Sequence, residues 1–323
     1  MRLTERFKSL VTWGKKKFIK GQEIFEKITK KIVLPGFDGV PLYDALIFFY
    51  RGNLKSSIDL RASAISFDII LAMLPAIMFF FTLIPYLPIP DLHKTIMSAL
   101  QESMPTNAFE TIRSTIEDVV SRQQSGLLSI GFLLSIYFAS NGMITVMKAF
   151  NQSAHAIETR SAFWQRILSL VLVFILTVLI IVASIIQIIS YNALDLFNQK
   201  FLIDPLLFKI LFLLVKYLII IIISFGAFSF IYYLAPAYRG RFRFISPGST
   251  LATILTIIVL EVFSFFINNF GQYNKIYGSI GSMIVLIIWL NLNSRILLIG
   301  FELNASIYSA KKDKIMRDNN LEK

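Results

Sequence analysis

Long apolar runs alternate with short polar segments along the 323 residues of this chain. The runs lie near residues 62–87, 127–149, 167–190, 210–234, 248–268 and 280–300. A helix needs about 20 apolar residues to cross the ~30 Å hydrocarbon core of a bilayer, and each run is close to that length. The pattern therefore predicts an all-α, polytopic membrane protein with six transmembrane helices in one bundle.

Composition agrees with this fold class. Hydrophobic residues make up 55% of the chain and charged residues 16%, against roughly 45–50% and ~25% in soluble domains. We expect an amphipathic cytoplasmic or interfacial region at 1–61, a membrane domain at 62–308 with an outer loop at 88–126, and a cytoplasmic tail at 309–323. This division leaves no room for a separate soluble catalytic domain.

Every second polar segment is rich in basic residues. Residues 1–61 hold 13 of the 32 Lys and Arg residues, whereas the loop at 88–126 holds three. Since Lys and Arg accumulate in cytoplasmic loops, the alternation predicts that both termini are cytoplasmic. The net charge of +12 then reflects proximity to anionic inner-leaflet lipids, and no nucleic-acid partner is expected.

Three polar segments have helical periodicity of their own. Residues 4–31 predict an amphipathic helix, which either lies in the membrane interface or packs on the cytoplasmic face of the bundle. Pro41 begins a second short helix that leads into the first span. The outer loop at 88–126 predicts two short amphipathic helices that cap the outer side of the bundle.

Ionisable and amide side chains inside the spans are candidate site residues, because such groups are costly in hydrocarbon. The candidates are Asp68, Lys216, Glu261, Asn268, Asn291, Arg295 and Glu302. Pro75 lies in the middle of the first span, where it removes a backbone donor and predicts a kink.

Depth along the spans suggests partners for four of these residues. At about 1.5 Å per residue, Lys216 and Glu261 lie at a similar depth near the outer boundary. Asp68 and Arg295 lie at a similar depth near the inner boundary. We therefore predict two interhelical ion pairs, Lys216–Glu261 and Asp68–Arg295.

The last span carries a polar stripe. Asn291, Arg295 and Glu302 fall within roughly 40° of one another on a helix of about 3.6 residues per turn, so they share a face that we expect to look inward. Such polar groups either hold helices together by hydrogen bonds and ion pairs or line a polar path or a headgroup-binding cavity. The sequence leaves both interpretations open.

Four local motifs resemble the YihY/BrkB family of bacterial inner-membrane proteins. They are RASAISFDIILAMLPAIMFFFTLIPYLP at 61–88, AFNQSAHAIETRSAFWQR at 149–166, SPGSTLAT at 246–253 and YGSIGSMIVLIIWLNLNSRILLIGFELNAS at 277–306. The resemblance implies a six-span protein of the bacterial inner membrane, and its last motif adds Asn304 to the candidate residues. Asp68 departs from the family pattern. Family members have been described as transporters, as a serum-resistance virulence factor and as a ribonuclease.

Two classes of function fit a helix bundle of this kind. A transporter, or a protein that translocates a lipid or envelope component, fits the polar stripes and the kinked first span. The absence of a GxxxxGK[ST] motif excludes a P-loop ATPase in the chain itself. The alternative is a non-enzymatic membrane scaffold or envelope assembly factor.

An enzyme is not expected. The chain has no cysteine and only His93 and His155, which lie in different loops, so a cluster of metal ligands for a nuclease is not apparent. No cofactor or metal is expected. The expected partners are membrane lipids, with a second copy of the chain or another membrane protein left open.

Overall fold

The computed structural model describes residues 37, 39–41, 43–45, 47, 49, 58–86, 97, 125–153, 157–201, 205–237, 244–269 and 279–321. Its long helices are α1 (Ile58–Leu83), α2 (Ser125–Ser153), α3 (Ala162–Phe201), α4 (Pro205–Leu234), α5 (Pro247–Asn269) and α6 (Ser279–Leu321). All six contain a stretch long and apolar enough to cross a membrane. The predicted helical, polytopic membrane fold is therefore confirmed.

The helices extend beyond several of the predicted spans. The first helix begins at Ile58, α3 continues to Phe201, and α6 continues to Leu321 without a break at the predicted tail boundary. An apolar run reports only the part of a helix that hydrocarbon solvates, so it underestimates a helix that continues into water. The amphipathic helices predicted at 4–31 and within 88–126 lie outside the described residues, apart from residue 97.

Local sequence signals set the starts of α3 and α5. The backbone N–H of Trp164 donates to Ser161 Oγ, and that of Ser249 donates to Ser246 Oγ. Both serines are N-caps, which satisfy N–H groups left over in the first helical turn. Pro247 follows Ser246 at the first helical position, where its missing N–H costs nothing.

The six helices close into a ring. Each helix packs on its neighbours in the chain, and α6 returns to pack against α1 and also touches α2. The end where α1, α3 and α5 begin and α2 and α4 end carries Arg61, Arg160 and Arg166. We call it the basic end, and the opposite end the far end.

Large apolar side chains cover the outside of the ring. Phe80, Phe174 and Phe265 on three different helices are each well over half exposed. Such a surface far exceeds the apolar patches of soluble proteins and is the surface expected of helices solvated by lipid.

The buried core is concentrated in the basic half of the bundle. It includes Phe150, Leu172, Tyr232 and Phe301. Where burial is described in the far halves of the helices (71–83, 125–139, 175–186, 206–207, 210–222, 258–267, 281 and 283–290), the buried residues are Thr82, Phe263, Gly131 and Gly281. The tightly packed part of the molecule therefore lies at one end.

A smaller core covers part of the C-terminal half of α6. Ile307 and Ala310 pack against Phe37, Val40 and Ala45 of the N-terminal segment. Gly39 has a positive φ of 76° at the turn before that segment becomes helical, a conformation that glycine adopts without strain. The N-terminal segment thus holds the helix that leaves the basic end.

Candidate functional site

An ion pair is buried at the basic end of the bundle. Arg61 on α1 donates from Nη2 to Glu302 Oε1 on α6 at 2.8 Å. The two side chains are 6% and 3% exposed. Arg61 Nη1 also donates to the Ala149 carbonyl oxygen at 2.8 Å and to Ser153 Oγ, both on α2. One guanidinium therefore joins three helices.

Aromatic rings lie at the same level inside the bundle. Phe150 on α2 and Phe301 on α6 stack with centroids 3.9 Å apart and planes 4° apart. Tyr232 on α4 lies tilted against both rings, and its hydroxyl donates to the Leu297 carbonyl oxygen at 2.9 Å. These rings fill the centre of the bundle beside the ion pair, so the basic end is closed by both apolar and polar contacts. We call Arg61, Glu302, Phe150, Phe301 and Tyr232 the basic-end closure.

Two glycines bring α5 and α6 into backbone contact next to this closure. A Cβ atom built on Gly300 would lie 2.7 Å from the Gly248 carbonyl oxygen and would collide with the Tyr232 hydroxyl. Asn304 fixes the crossing, since its Oδ1 accepts from the Gly248 N–H at 2.8 Å and its Nδ2 donates to Ser246 Oγ at 3.0 Å. Asn304 therefore has a structural role at the start of α5.

The loop between α2 and α3 is anchored to the end of α4. Arg160 donates two hydrogen bonds to the Glu158 carboxylate, from Nε at 2.7 Å and from Nη2 at 2.6 Å. Its Nη2 also donates to the Ala235 carbonyl oxygen at 3.0 Å. Asn151 donates to Glu158 at 2.7 Å and accepts from the Ala237 N–H at 2.7 Å. The hydrogen bonds from the Arg160 side chain lower the pKa of Glu158, and partial burial opposes them.

The predicted pairing of Asp68 with Arg295 is wrong. Asp68 Oδ2 accepts a hydrogen bond from Thr145 on α2 at 2.5 Å. Arg295 instead lies 3.3 Å from Asp59, and its Nε donates to Asn291 at 2.8 Å. Asp68 faces α2, whereas Arg295 meets Asp59 in the first turn of α1, nine residues before Asp68.

The predicted pairing of Lys216 with Glu261 is also wrong. Glu261 Oε1 accepts from the Tyr217 hydroxyl at 2.6 Å. The Lys216 ammonium lies 5.3 Å from the centroid of the Tyr217 ring, and no ion pair joins it to Glu261 among the described residues. The neighbouring residue of α4 therefore faces Glu261 in place of the lysine.

The remaining candidates have separate positions. Asn291 Nδ2 donates to Ser63 Oγ at 3.3 Å, so Asn291, Arg295 and Glu302 all contact α1. Only Glu302 of these three is buried, which contradicts the expectation that the whole stripe looks inward. Asn268 lies near the end of α5, and Pro75 lies inside α1, which remains one helix.

Sequence reasoning missed Arg61, although a signal for it exists. Arg61, Ala62, Ile65 and Ser66 recur at helical spacing and are all buried. The first apolar run begins at residue 62 and therefore places Arg61 with the exposed cytoplasmic charges. A helical projection begun one turn earlier places Arg61 on the core face.

The comparisons with known proteins match this architecture. The family model described as virulence factor BrkB matches residues 49–322. The chain belongs to the virulence factor BrkB family. The matched region contains all six spans and both partners of the buried pair, Arg61 and Glu302.

Several curated proteins resemble this BrkB-family chain. The ribonuclease-like protein YfkH of Bacillus subtilis is 28% identical over 252 residues, which cover 78% of this chain and 90% of that protein. A UPF0761 membrane protein of Psychromonas ingrahamii is 24% identical over 305 residues, covering 92% and 97% of the two chains. No solved structure matches.

The name of the Bacillus protein raises the question of a metal-dependent nuclease. The residues that the structure describes contain no group of three or more His, Cys, Asp or Glu side chains that could hold a metal ion. Glu158 and Glu302 are engaged by Arg160 and Arg61.

Proposed function

We propose that this BrkB-family chain is a non-enzymatic transporter that moves a lipid or another envelope component across the bacterial inner membrane. The observation that carries the proposal is the difference in packing between the two ends of the helix ring. A transporter caught in one state is closed at one end and loosely packed at the other, because alternating access moves helices around a central site.

The basic-end closure has the composition expected of a gate. Its ion pair and hydrogen bonds join α1, α2 and α6, and its aromatic rings join α2, α4 and α6. A buried ion pair is held by a balance between desolvation and attraction, so water that enters can replace it. Opening this end would therefore break only noncovalent contacts.

A disulfide across the closure tests the proposal. Ser66 Oγ on α1 lies 3.1 Å from Ser294 Oγ on α6, and both side chains are buried. The chain has no cysteine of its own, so the double variant Ser66→Cys/Ser294→Cys carries a single possible disulfide. In proteoliposomes we expect oxidation to stop the movement of a fluorescent phospholipid between leaflets, and reduction to restore it.

The matched control joins two helices that are consecutive in the chain. Ser140 Oγ on α2 lies 2.5 Å from Ser169 Oγ on α3, also in the basic half. The oxidised Ser140→Cys/Ser169→Cys variant should keep most of the activity. Translocation that continues at the full rate with the α1–α6 disulfide formed would rule out a gate at this place.

The second candidate is a non-enzymatic scaffold or assembly factor. The density of interhelical hydrogen bonds in the basic half favours it, because the same contacts would stabilise a bundle that never opens. In that case no protein-dependent lipid movement is expected from the wild type. The cellular phenotype of a deletion would then be rescued by the oxidised α1–α6 variant as well as by the wild type.

A further inference from the structure

A groove opens between α5 and α6 in the far half of the bundle. Its volume is about 410 Å³, within the ~300–1,000 Å³ of ordinary ligand pockets. Six of its seven lining residues are apolar, and the seventh is Ser264. Phe263 and Trp289 lie within it, with ring centroids 4.7 Å apart.

The groove exists because the two helices diverge. They are in backbone contact at Gly248 and Gly300. The lining of α5 begins at Leu260, 12 residues after Gly248, or about 18 Å along the helix. Small residues thus allow contact at the basic end, whereas large side chains line the separated part.

Depth and chemistry identify what fills this space. The lining residues lie inside the candidate spans Pro247–Ile267 and Met283–Asp313, at the level of hydrocarbon. A bound water needs two to four polar partners, and the lining offers one side-chain hydroxyl. At this depth the surrounding solvent is hydrocarbon, so acyl chains are the groups available to fill an apolar groove.

We propose that the groove between α5 and α6 binds one acyl chain of a membrane lipid. Ser264 and Ile267 on its lining are exposed, so the groove is open along α5 and an acyl chain of the surrounding leaflet can enter it. The site depends on the membrane fold and does not require that the protein transports anything.

Trp289 reports occupancy of the groove. The chain has three tryptophans, so Trp13→Phe/Trp164→Phe leaves Trp289 as the single fluorophore. In vesicles that contain increasing fractions of phosphatidylglycerol with brominated acyl chains, we expect quenching to saturate at a low fraction of brominated lipid. Quenching in simple proportion to that fraction would show ordinary lipid contact and overturn the proposal.

Two serine variants separate groove binding from general contact with lipid. Ser264→Phe fills the groove, and Ser184→Phe places the same ring on the exposed face of α3. In native mass spectrometry with added dioleoyl phosphatidylglycerol, the wild type and Ser184→Phe should retain one lipid per chain. Ser264→Phe should bind it about tenfold more weakly, a change of about 1.4 kcal/mol.

Equal retention by all three proteins would overturn the proposal. So would a groove occupied by the chain itself or by a second copy, which would leave Trp289 insensitive to brominated lipid in both the wild type and Ser264→Phe. A failure of lipid translocation with lipid retention intact would instead count against the proposed function alone.

Discussion

Arg61 can be buried because its environment compensates for the loss of water. Its guanidinium donates to the Glu302 carboxylate, to a backbone carbonyl oxygen and to the Ser153 hydroxyl. Arginine suits this place, since its fixed fork of donors reaches several acceptors at once. Removing either charge leaves the other buried without compensation, whereas removing both does not.

We predict that Glu302→Ala destabilises the protein by about 3–5 kcal/mol, the usual cost of removing one partner of a buried ion pair. The measurement is the thermal unfolding midpoint in detergent. Arg295→Ala is the matched control, because the Arg295 and Asp59 side chains are 44% and 78% exposed and exposed pairs contribute at most about 1 kcal/mol.

The double variant Arg61→Met/Glu302→Met should recover most of the stability lost in Glu302→Ala. Apolar side chains of similar size commonly replace a buried pair without loss. A double variant no more stable than Glu302→Ala would show that the charges themselves hold α1 and α6 together.

A third residue-scale prediction concerns the glycine crossing. Gly300→Ala should lower the unfolding midpoint, because its Cβ would lie 2.7 Å from the Gly248 carbonyl oxygen and force α5 away from α6. Gly126→Ala is the control, since nothing lies within 4 Å of a Cβ built there. Equal midpoints for the two variants would mean that the helices can separate at the crossing without cost.

At the scale of elements, hydrogen bonds join the loop between α2 and α3 to the segment that follows α4. Arg160 and Asn151 bond to the backbone just after α4, at Ala235 and Ala237, and Glu158 bonds to both of them. The sequence could not reveal this common structural role, because the backbone segment lies 75 to 86 residues away.

The lowered pKa of Glu158 makes this anchoring pH-dependent. Ionised Glu158 is favoured in the folded state, so its contribution is present above its unfolded pKa and is lost as the pH falls through the folded value. We expect the protection factors of the loop amides, which correct for the intrinsic slowing of exchange in acid, to fall on acidification through this range. In the Glu158→Gln variant, the loop amides should be less protected at neutral pH, and their protection should depend less on pH in the range where Glu158 titrates.

Helix boundaries and helix pairings differ in how far the sequence predicts them. The six runs located α1 to α6, because hydrocarbon imposes a length on each. The pairing of Asp68 and Arg295 was wrong because the spacing of residues along the runs predicts neither the register of one helix against another nor the direction in which a side chain points around the ring. Tyr217 instead of Lys216 meets Glu261 for the same reason.

At the scale of the whole molecule, burial and charge coincide. The end with the compact core is also the end where Arg61, Arg160 and Arg166 lie. If the positive-inside rule orients the chain, the closed end faces the cytoplasm and the loosely packed half faces outward. The side of the membrane to which the proposed transporter is open in this conformation therefore depends on which end of the bundle faces the cytoplasm.

Labelling at the two ends of α2 measures that orientation. The helix has 29 residues, about 43 Å, so both ends project beyond the ~30 Å hydrocarbon core. Ser125 lies at the far end and Gln152 at the basic end, and both are exposed. Because the chain has no cysteine, Ser125→Cys and Gln152→Cys each introduce a single thiol.

On spheroplasts, a membrane-impermeant maleimide should label Ser125→Cys at least about tenfold faster than Gln152→Cys, since a charged reagent does not cross hydrocarbon. Permeabilisation should bring the two rates close together. The reverse order on intact spheroplasts would place the basic end outside. The closure of Arg61 and Glu302 would then be an outer gate, and substrate would enter the loosely packed half from the cytoplasm.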